Sequence, residues 1–190
     1  NLGTPDAPDV KSLRIYLNQF LSDKRVIELP TFLWQIILKG IILQVRPRKS
    51  AAKYKKIWTD NGSPLLDISK KQIEGVKKII LAKYPNIEFA LGMRYGNPSI
   101  ESALKDLQNR QVRRLLVLPL YPQYCAATTA STFDAVTNVL QKWRRIPELR
   151  FINQYCEEKS YIKALSKSIE DFWNINGKPQ KIIFSYHGIP

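Results

Sequence analysis

The sequence predicts an α/β protein in which helices cover both faces of a parallel sheet. From residue 86 onward, short apolar segments typical of buried strands alternate with amphipathic segments of helical length. Strands that alternate with helices along the chain form βαβ units, and such units build parallel sheets. The composition, with 44% hydrophobic and 24% charged residues, supplies enough apolar side chains for a core.

The first 85 residues are predicted to form loops and helices. Residues 9–21 carry apolar side chains at helical intervals, and Asp9 can cap the N-terminus of that helix. Residues 30–45 are largely apolar, with interruptions at polar positions and one glycine. Residues 50–58 and 67–84 have the pattern of two further helices.

The alternation after residue 86 places strands and helices in turn. Predicted strands cover residues 87–93, 113–120, 149–155 and 181–186. Predicted helices cover residues 98–107, 129–144 and 160–173. The run of apolar residues in 113–120 is typical of a strand that is buried on both faces. Right-handed crossovers are expected between these parallel strands.

Four segments follow predicted strands, where open α/β sheets bind their ligands. They are residues 1–5, 92–98, 119–131 and 185–190. The polar and aromatic side chains that they bring are Arg94, Tyr95, Tyr121, Tyr124, Thr128, Thr129 and His187. Aromatic rings, a cation and an imidazole suit a flat, aromatic, anionic ligand. No G-x-G-x-x-G or G-x-x-x-x-G-K-[ST] motif occurs, so the sequence does not support a nucleotide phosphate site.

His187 is the only histidine, and it lies at the end of the predicted strand 181–186. A neutral imidazole accepts protons and is the commonest metal ligand in proteins. Gly188, which follows it, allows another molecule to approach closely. Two interpretations stay open from the residues alone: a catalytic or metal-binding histidine, and a hydrogen-bonded histidine at a strand end.

The chain is strongly basic, with 30 Lys and Arg, 16 Asp and Glu, and a formal charge of +14. This charge attracts polyanions such as anionic lipid, nucleic acid or an acidic small molecule. Residues 46–56 contain six basic residues and no acid. They indicate either a solvated helix face or a surface that captures carboxylates or anionic lipid beside the apolar segment 30–45. For Phe32, Leu33 and Trp34, core packing and an interfacial anchor both stay open.

Two cysteines, Cys125 and Cys156, are too far apart in the sequence for a C-x-x-C pair. They predict neither a disulfide framework nor a metal knuckle, and a reducing cytoplasm is the simplest location. A basic α/β module that binds a flat anionic ligand or polyanions without catalysis is the alternative to an enzyme. Because no nucleic-acid motif is present and the basic residues are dispersed, we expect no nucleic-acid partner.

Several segments carry a resemblance to a known family. They are "NLGTPDAP" (1–8), "RPRKSAAKYKKIW" (46–58), "GSPL" (62–65), "GMRYGNPSIESAL" (92–104), "LPLYPQYCAATTAS" (118–131) and "FSYHGIP" (184–190). In this order they resemble the ferrochelatases, which insert ferrous iron into a porphyrin to make haem. The resemblance implies a Rossmann-like, three-layer parallel sheet of the class II chelatase type, as one of two pseudo-repeated halves around a porphyrin cleft.

The resemblance also implies a division of the chain. Residues 1–158 would form the first half without its first strand, and residues 159–190 would begin a truncated second half. The similarity of "NLGTP" at the start to "YHGIP" at the end agrees with two repeated halves. Because the acidic partner of the histidine belongs to the second half in this family, the chain alone is expected to be inactive.

His187 is implied by the resemblance to be both the catalytic residue and the metal site. In that role the imidazole accepts pyrrole protons, binds ferrous iron, or does both. The porphyrin contacts implied in the same way are Leu2, Arg46, Tyr54, Ser63, Arg94, Tyr95 and Tyr124.

The implied substrates are a porphyrin and Fe²⁺, with no tightly bound cofactor. Some relatives hold an iron–sulfur cluster, but Cys125 falls one residue early for its ligand, so no cluster is expected. A cytoplasmic protein with a peripheral membrane contact through residues 30–56 is expected. The choice between protoporphyrin and coproporphyrin, and the choice of metal, stay open.

Overall fold

In the computed structural model, which describes residues 1–188, the chain forms helices interleaved with four short parallel strands. The helices are α1 (Val10–Leu21), α2 (Thr31–Ile37), α3 (Leu43–Ile57), α4 (Pro64–Leu81), α5 (Ile100–Asn109), α6 (Ser131–Leu140) and α7 (Lys159–Asn176). The strands are β1 (Gly3–Thr4), β2 (Tyr95–Gly96), β3 (Arg114–Val117) and β4 (Glu148–Phe151). Two π-helical turns, Leu38–Ile42 and Ala126–Ala130, lead directly into α3 and α6.

The strands form two small parallel sheets. In the first, Gly3 of β1 pairs with Tyr95 of β2. In the second, β3 and β4 pair along their whole length, from Arg114 opposite Glu148 onward. Parallel pairing with intervening helices confirms the predicted α/β class, and it is consistent with a Rossmann-like half-domain. Within residues 1–188 the two sheets do not share a hydrogen-bonded strand.

Two glycines allow β1 and β2 to approach closely. Gly3 has a φ angle of 107° and Gly96 has a φ angle of 78°, which are values that L-residues rarely adopt. A Cβ on Gly3 would lie 1.7 Å from the carbonyl oxygen of Tyr95, and one on Gly96 would lie 2.3 Å from that of Thr4. The pairing of these strands therefore requires glycine at both positions.

Local signals predicted the helices well. Asp9 caps α1, since its Oδ1 accepts hydrogen bonds from the N–H groups of Lys11 (2.8 Å) and Ser12 (2.9 Å). Ser99 caps α5 by accepting from the N–H of Ser102 at 3.0 Å. The predictions of helices within residues 67–84, 98–107, 129–144 and 160–173 are confirmed by α4, α5, α6 and α7.

Two predicted strands are wrong. Residues 87–92 and 181–186 have no regular secondary structure. A strand needs a neighbour to satisfy its N–H and C=O groups, and no other strand of residues 1–188 lies along either segment. Ile183 in the second segment is 91% exposed, so the apolar residues there find no core within the described chain.

Residues 31–57 form one interrupted helical rod made of α2, the π turn and α3. Pro47 in α3 cannot donate to the carbonyl of Leu43, one turn earlier. Arg14 of α1 fills this vacancy, because its Nε donates to the Leu43 oxygen at 3.0 Å. Trp34 of α2 ties the rod to the end of α1 by donating from Nε1 to the Leu21 oxygen at 2.6 Å.

The apolar residues of α2 divide between packing and exposure. Trp34 is half-buried against the core, so the packing interpretation holds for it. Phe32 is 81% exposed and Leu33 is 56% exposed, so core packing is wrong for these two side chains within the described residues. None of the helices in residues 1–188 combines the length and hydropathy that a bilayer crossing requires.

Two apolar clusters form the core. The first joins α1, the first π turn, α3 and β2 through Tyr16, Leu17, Leu21, Leu38, Leu43 and Tyr95. The second joins α5 and α6 to β3 through Leu104, Leu107, Leu115, Val136 and Leu140. Each fully buried side chain of this size stabilises the fold by about 1.5–3 kcal/mol. Helix α7 contributes no buried side chain, and the division of the chain at residue 158 stays a prediction.

Candidate functional site

A cavity of about 330 Å³ opens beyond the carboxyl ends of β1 and β2. This is the edge at which α/β sheets bind ligands. The residues that line it follow β1, follow β2, belong to the connection between α3 and α4, or lie in the first turn of α4: Pro5, Asp6, Asn97, Pro98, Trp58, Asn61, Gly62, Ser63 and Leu66. Among them is Ser63, one of the predicted porphyrin contacts.

Ser63 is a buried wall residue of this cavity, with 5% of its surface exposed. Its hydroxyl accepts a hydrogen bond of 2.8 Å from Oγ1 of Thr4, which is also buried. It occupies the N-cap position of α4, yet its side chain makes no capping bond. The Ser63 hydroxyl proton has no acceptor among the described residues, so it can be donated to an oxygen of a ligand.

Tyr54 stands behind the same cavity. Its ring contacts Trp58 in an edge-to-face arrangement, with the centroids 6.3 Å apart, and Trp58 lines the cavity. Burial raises the pKa of Tyr54, so its hydroxyl stays protonated and can donate a hydrogen bond. Tyr16 lies beyond it and donates to the Gly3 oxygen at 3.3 Å, which couples this aromatic group to β1.

A largely buried polar cluster joins the loop after α1, the start of β2 and the start of α6. Asp23, in the loop after α1, accepts at Oδ2 from Arg94 Nη2 (2.5 Å), Tyr95 OH (2.8 Å) and Ser131 Oγ (2.5 Å). Its Oδ1 accepts from the N–H of Arg25 at 2.7 Å. Arg94 also donates from Nε to the Ser131 hydroxyl at 2.6 Å, and its guanidinium lies 4.6 Å above the Tyr95 ring. We call Asp23, Arg94, Tyr95 and Ser131 the Asp23 cluster.

The ionisation states of the Asp23 cluster follow from this geometry. Burial alone would raise the pKa of Asp23, but hydrogen bonds from Ser131, Arg25 and Tyr95, with the charge of Arg94, outweigh it and hold the pKa below its ordinary value. Burial raises the pKa of Tyr95. At neutral pH the cluster therefore contains one carboxylate, one guanidinium and a protonated phenol.

The structure brings some predicted contacts together and leaves others apart. Ser63 lines the cavity and Tyr54 packs behind it against Trp58, whereas Arg94 and Tyr95 belong to the Asp23 cluster. Leu2 packs against the first apolar cluster, which includes Tyr95. Two further predicted contacts, Arg46 and Tyr124, are exposed.

His187 is exposed, and among the described residues the only hydrogen-bonding contact of its ring is with the neighbouring residue of the chain. Its Nδ1 lies 2.5 Å from the carbonyl oxygen of the adjacent Gly188, and no hydrogen bond joins it to the cavity or to the Asp23 cluster. Within residues 1–188, no group of three His, Cys, Asp or Glu side chains is arranged to hold a metal ion. Cys125 and Cys156 are free thiols. The catalytic and metal-binding roles of His187 stay predictions.

Sequence reasoning missed Asp23, Thr4 and Ser131 as site residues. Thr4 and Ser131 lie inside two of the segments predicted to bind ligand, and that was the available signal: Thr4 ends β1, and Ser131 begins α6. Asp23 gave no such signal, because it follows a helix rather than a strand. It reaches Arg94 only through the packing of α1 against β2.

The fold is that of an α/β half-domain with a cavity beyond its strand ends, and comparison with known proteins gives its family. The family model for ferrochelatases matches residues 1–190, so the chain belongs to the ferrochelatase family. A ferrochelatase from Hydrogenovibrio crunogenus is 56% identical over 195 residues, which cover all of this chain and 52% of that protein. Ferrochelatase 2 from Shewanella oneidensis is 51% identical over 190 residues, which cover all of this chain and 58% of that protein.

A third relative agrees with these two. A ferrochelatase from Thioalkalivibrio sulfidiphilus is 50% identical over 191 residues, with all of this chain and 52% of that protein covered. The chain thus spans about half the length of the curated relatives it matches.

Proposed function

We propose that the protein containing this chain is a ferrochelatase that inserts Fe²⁺ into protoporphyrin IX or coproporphyrin and releases two protons. The observation that carries the proposal is the family match over residues 1–190, with relatives of about 50% identity that are named ferrochelatases. The remaining half of the relatives' length would supply the rest of the catalytic site. The chain alone is therefore expected to be inactive.

In this proposal the cavity beside β1 and β2 forms part of one wall of the porphyrin cleft. Ser63 donates a hydrogen bond to a propionate oxygen, and Tyr54, whose ring packs against the cavity residue Trp58, is proposed as a further porphyrin contact. The guanidinium of Arg94 offers positive charge to the same anionic groups, because charge-assisted bonds to carboxylates are the stronger kind. The macrocycle is wider than the cavity, so the second half of the protein closes the cleft.

His187 is proposed to act on the centre of the porphyrin. Insertion of a divalent metal removes two N–H protons from the ring, and a neutral imidazole close to the ring accepts such protons. The same nitrogen is a suitable ligand for incoming ferrous iron. His187 is exposed in the described chain, so it remains accessible to the segment that would pack beside it.

We further propose a cytoplasmic protein that contacts the membrane peripherally through residues 30–56. Phe32 and Leu33 are exposed on α2, and basic side chains follow on α3. Apolar insertion and attraction to anionic headgroups both favour such contact. Binding to vesicles with and without anionic lipid tests it. The apolar part survives salt, whereas contact through charge alone is lost as ionic strength rises.

The decisive experiment follows the porphyrin Soret band anaerobically with Fe²⁺ and the full-length protein. His187→Ala is compared with the wild type and with Lys181→Ala, an exposed neighbour in the same segment. We expect His187→Ala to bind porphyrin but to metallate it about 100-fold more slowly or worse, whereas Lys181→Ala matches the wild type.

Two results would contradict parts of the proposal. Normal metallation by His187→Ala would show that the imidazole is not catalytic, with the reaction itself intact. Porphyrin binding by the wild type without metallation would indicate a binding protein without catalysis. In that case, steep loss of binding with salt would assign the affinity to the basic surface rather than to the cavity.

A further inference from the structure

The Asp23 cluster connects the predicted porphyrin contacts to a carboxylate. The side chain of Asp23 is 6% exposed, and that of Arg94 is 22% exposed. Three donors converge on the single oxygen Oδ2 of Asp23: two come from Arg94 and Tyr95, and the third comes from Ser131. The carboxylate is thus shared by two side chains whose expected role is to bind ligand.

The hydrogen bonds fix one edge of the Arg94 guanidinium and leave another available. Nη2 donates to Asp23, and Nε donates to the carbonyl and hydroxyl oxygens of Ser131. Nη1 makes no hydrogen bond to any other described residue. A flexible arginine is thereby converted into an oriented donor before a ligand arrives, which lowers the entropy cost of binding.

A simple structural role for Asp23 accounts less well for this arrangement. The loop after α1 is already joined to α6 by the surface ion pair between Arg25 and Asp134, at 2.7 Å. Asp23 joins the same two segments through Ser131, but its carboxylate also accepts hydrogen bonds from Arg94 and Tyr95. Its negative charge also balances the positive charge of Arg94, which is only partly exposed.

We propose that Asp23 is a positioning residue for porphyrin binding, because it orients the guanidinium of Arg94 toward the porphyrin carboxylates. This inference rests on the proposed function. Asp23 does not touch the porphyrin in this scheme. Its effect passes through Arg94, so it changes porphyrin affinity rather than the rate of metal insertion.

The test uses the full-length protein with protoporphyrin IX and Fe²⁺, and it measures KM, kcat and the porphyrin Kd. Asp23→Asn keeps the shape of the side chain and removes its charge, whereas Asp134→Asn removes the surface ion pair between the same two segments. We expect Asp23→Asn to raise KM and Kd about tenfold or more with little change in kcat. Asp134→Asn is expected to leave all three unchanged.

A double-mutant cycle separates positioning from a structural role. In an Arg94→Ala background, Asp23→Asn should have a much smaller effect on Kd, because the side chain through which it acts is gone. Asp23→Glu should restore part of the affinity. If Asp23→Asn does not fold, Ser131→Ala replaces it, since this variant weakens the same cluster and leaves the ion pair. We expect it to raise Kd about threefold.

Each contrary outcome has a definite meaning. If Asp23→Asn lowers thermal stability but binds porphyrin like the wild type, Asp23 is structural and the positioning role is wrong. A full tenfold effect in the Arg94→Ala background also overturns the proposal, because the effect then bypasses Arg94. If the wild type neither binds nor metallates porphyrin, the proposed function fails first, and the role of Asp23 fails with it.

Discussion

Substitution of Gly3 by Ala tests the close approach of β1 and β2. The new Cβ would lie 1.7 Å from the Tyr95 carbonyl oxygen and 2.8 Å from the carbonyl carbon. Both are backbone atoms, so no side-chain rotation relieves the contact. Since Tyr95 also donates from its N–H to the Leu2 oxygen at 2.9 Å, a shift of more than 1 Å would break the pairing of the strands.

Two matched variants separate the contributions of backbone strain and of steric clash to the destabilisation expected for Gly3→Ala. Gly62 has a φ angle of 91° and open space around it, so Gly62→Ala measures backbone strain alone, about 1–2 kcal/mol. Gly75 lies in the middle of α4 with open space and an ordinary φ angle, so Gly75→Ala should stabilise the fold by about 0.5–1 kcal/mol. Gly3→Ala combines strain with a backbone clash, and we expect a loss of about 4 kcal/mol or more.

Equilibrium unfolding in urea, followed by far-UV circular dichroism, gives the free energies of unfolding for all three variants. The expected order of stability is Gly75→Ala, wild type, Gly62→Ala and Gly3→Ala. A value for Gly3→Ala within about 1 kcal/mol of that for Gly62→Ala would refute the close approach. In that case the strands pair with more room than the structure shows, and only the φ angle selects glycine.

Two further predictions concern burial and pH. Leu38→Ala should lower the free energy of unfolding by about 2–5 kcal/mol, because Leu38 is fully buried. Phe32 is exposed, so Phe32→Ala should change it by less than about 0.5 kcal/mol. Similar urea midpoints for the two variants would contradict this prediction. The pKa of Asp23 is held below its ordinary value of 3.8, so its ionised form stabilises the fold at higher pH, and this contribution is lost as the pH falls through the folded-state pKa. Asp23→Asn should therefore be less stable than the wild type at neutral pH. Between about pH 5 and about pH 3 it should lose less stability than the wild type does. Urea titrations that show equal acid sensitivity for both proteins would exclude this contribution of the Asp23 carboxylate to stability.

The helices were predictable because their signals are local. Asp9 and Ser99 stand directly before apolar residues at helical spacing, and both cap as expected. The apolar segment after residue 30 was harder, because the polar residues that interrupt it hide a continuous rod. The bond from Arg14 to the Leu43 oxygen, which compensates for Pro47, joins residues 29 positions apart and leaves no local pattern.

The strands were less predictable because a strand depends on its neighbours. β3 lies within the predicted strand 113–120, and β4 overlaps the predicted strand 149–155 but begins one residue earlier. The two strands pair with each other, although both are shorter than predicted. Residues 87–92 and 181–186 have equally apolar patterns, but neither segment belongs to a strand in the described residues 1–188. An apolar run therefore indicated the capacity to form a strand, and pairing decided whether one formed.

The site likewise contains residues that the sequence predicted and one residue that it did not. Ser63, Tyr54, Arg94 and Tyr95 were expected from the resemblance, and the structure places them around β1 and β2. The carboxylate that organises two of them was not expected. Asp23 is 71 residues from Arg94 in the chain, so only the folded arrangement of α1 and β2 reveals the connection.

The π turn at Leu38–Ile42 fixes the rotational phase between α2 and α3. Each residue of an α-helix advances the side chains by about 100°, and a π turn contains roughly one residue more than an α turn. Deletion of Gly40, whose surroundings are open, would let a regular helix run through and swing α2 by about a quarter turn. Trp34 would then leave Leu21, while Arg46 and Tyr54 kept their places. A change of one residue in the length of this segment would thus change the direction in which the exposed apolar residues of α2 face relative to the cations of α3.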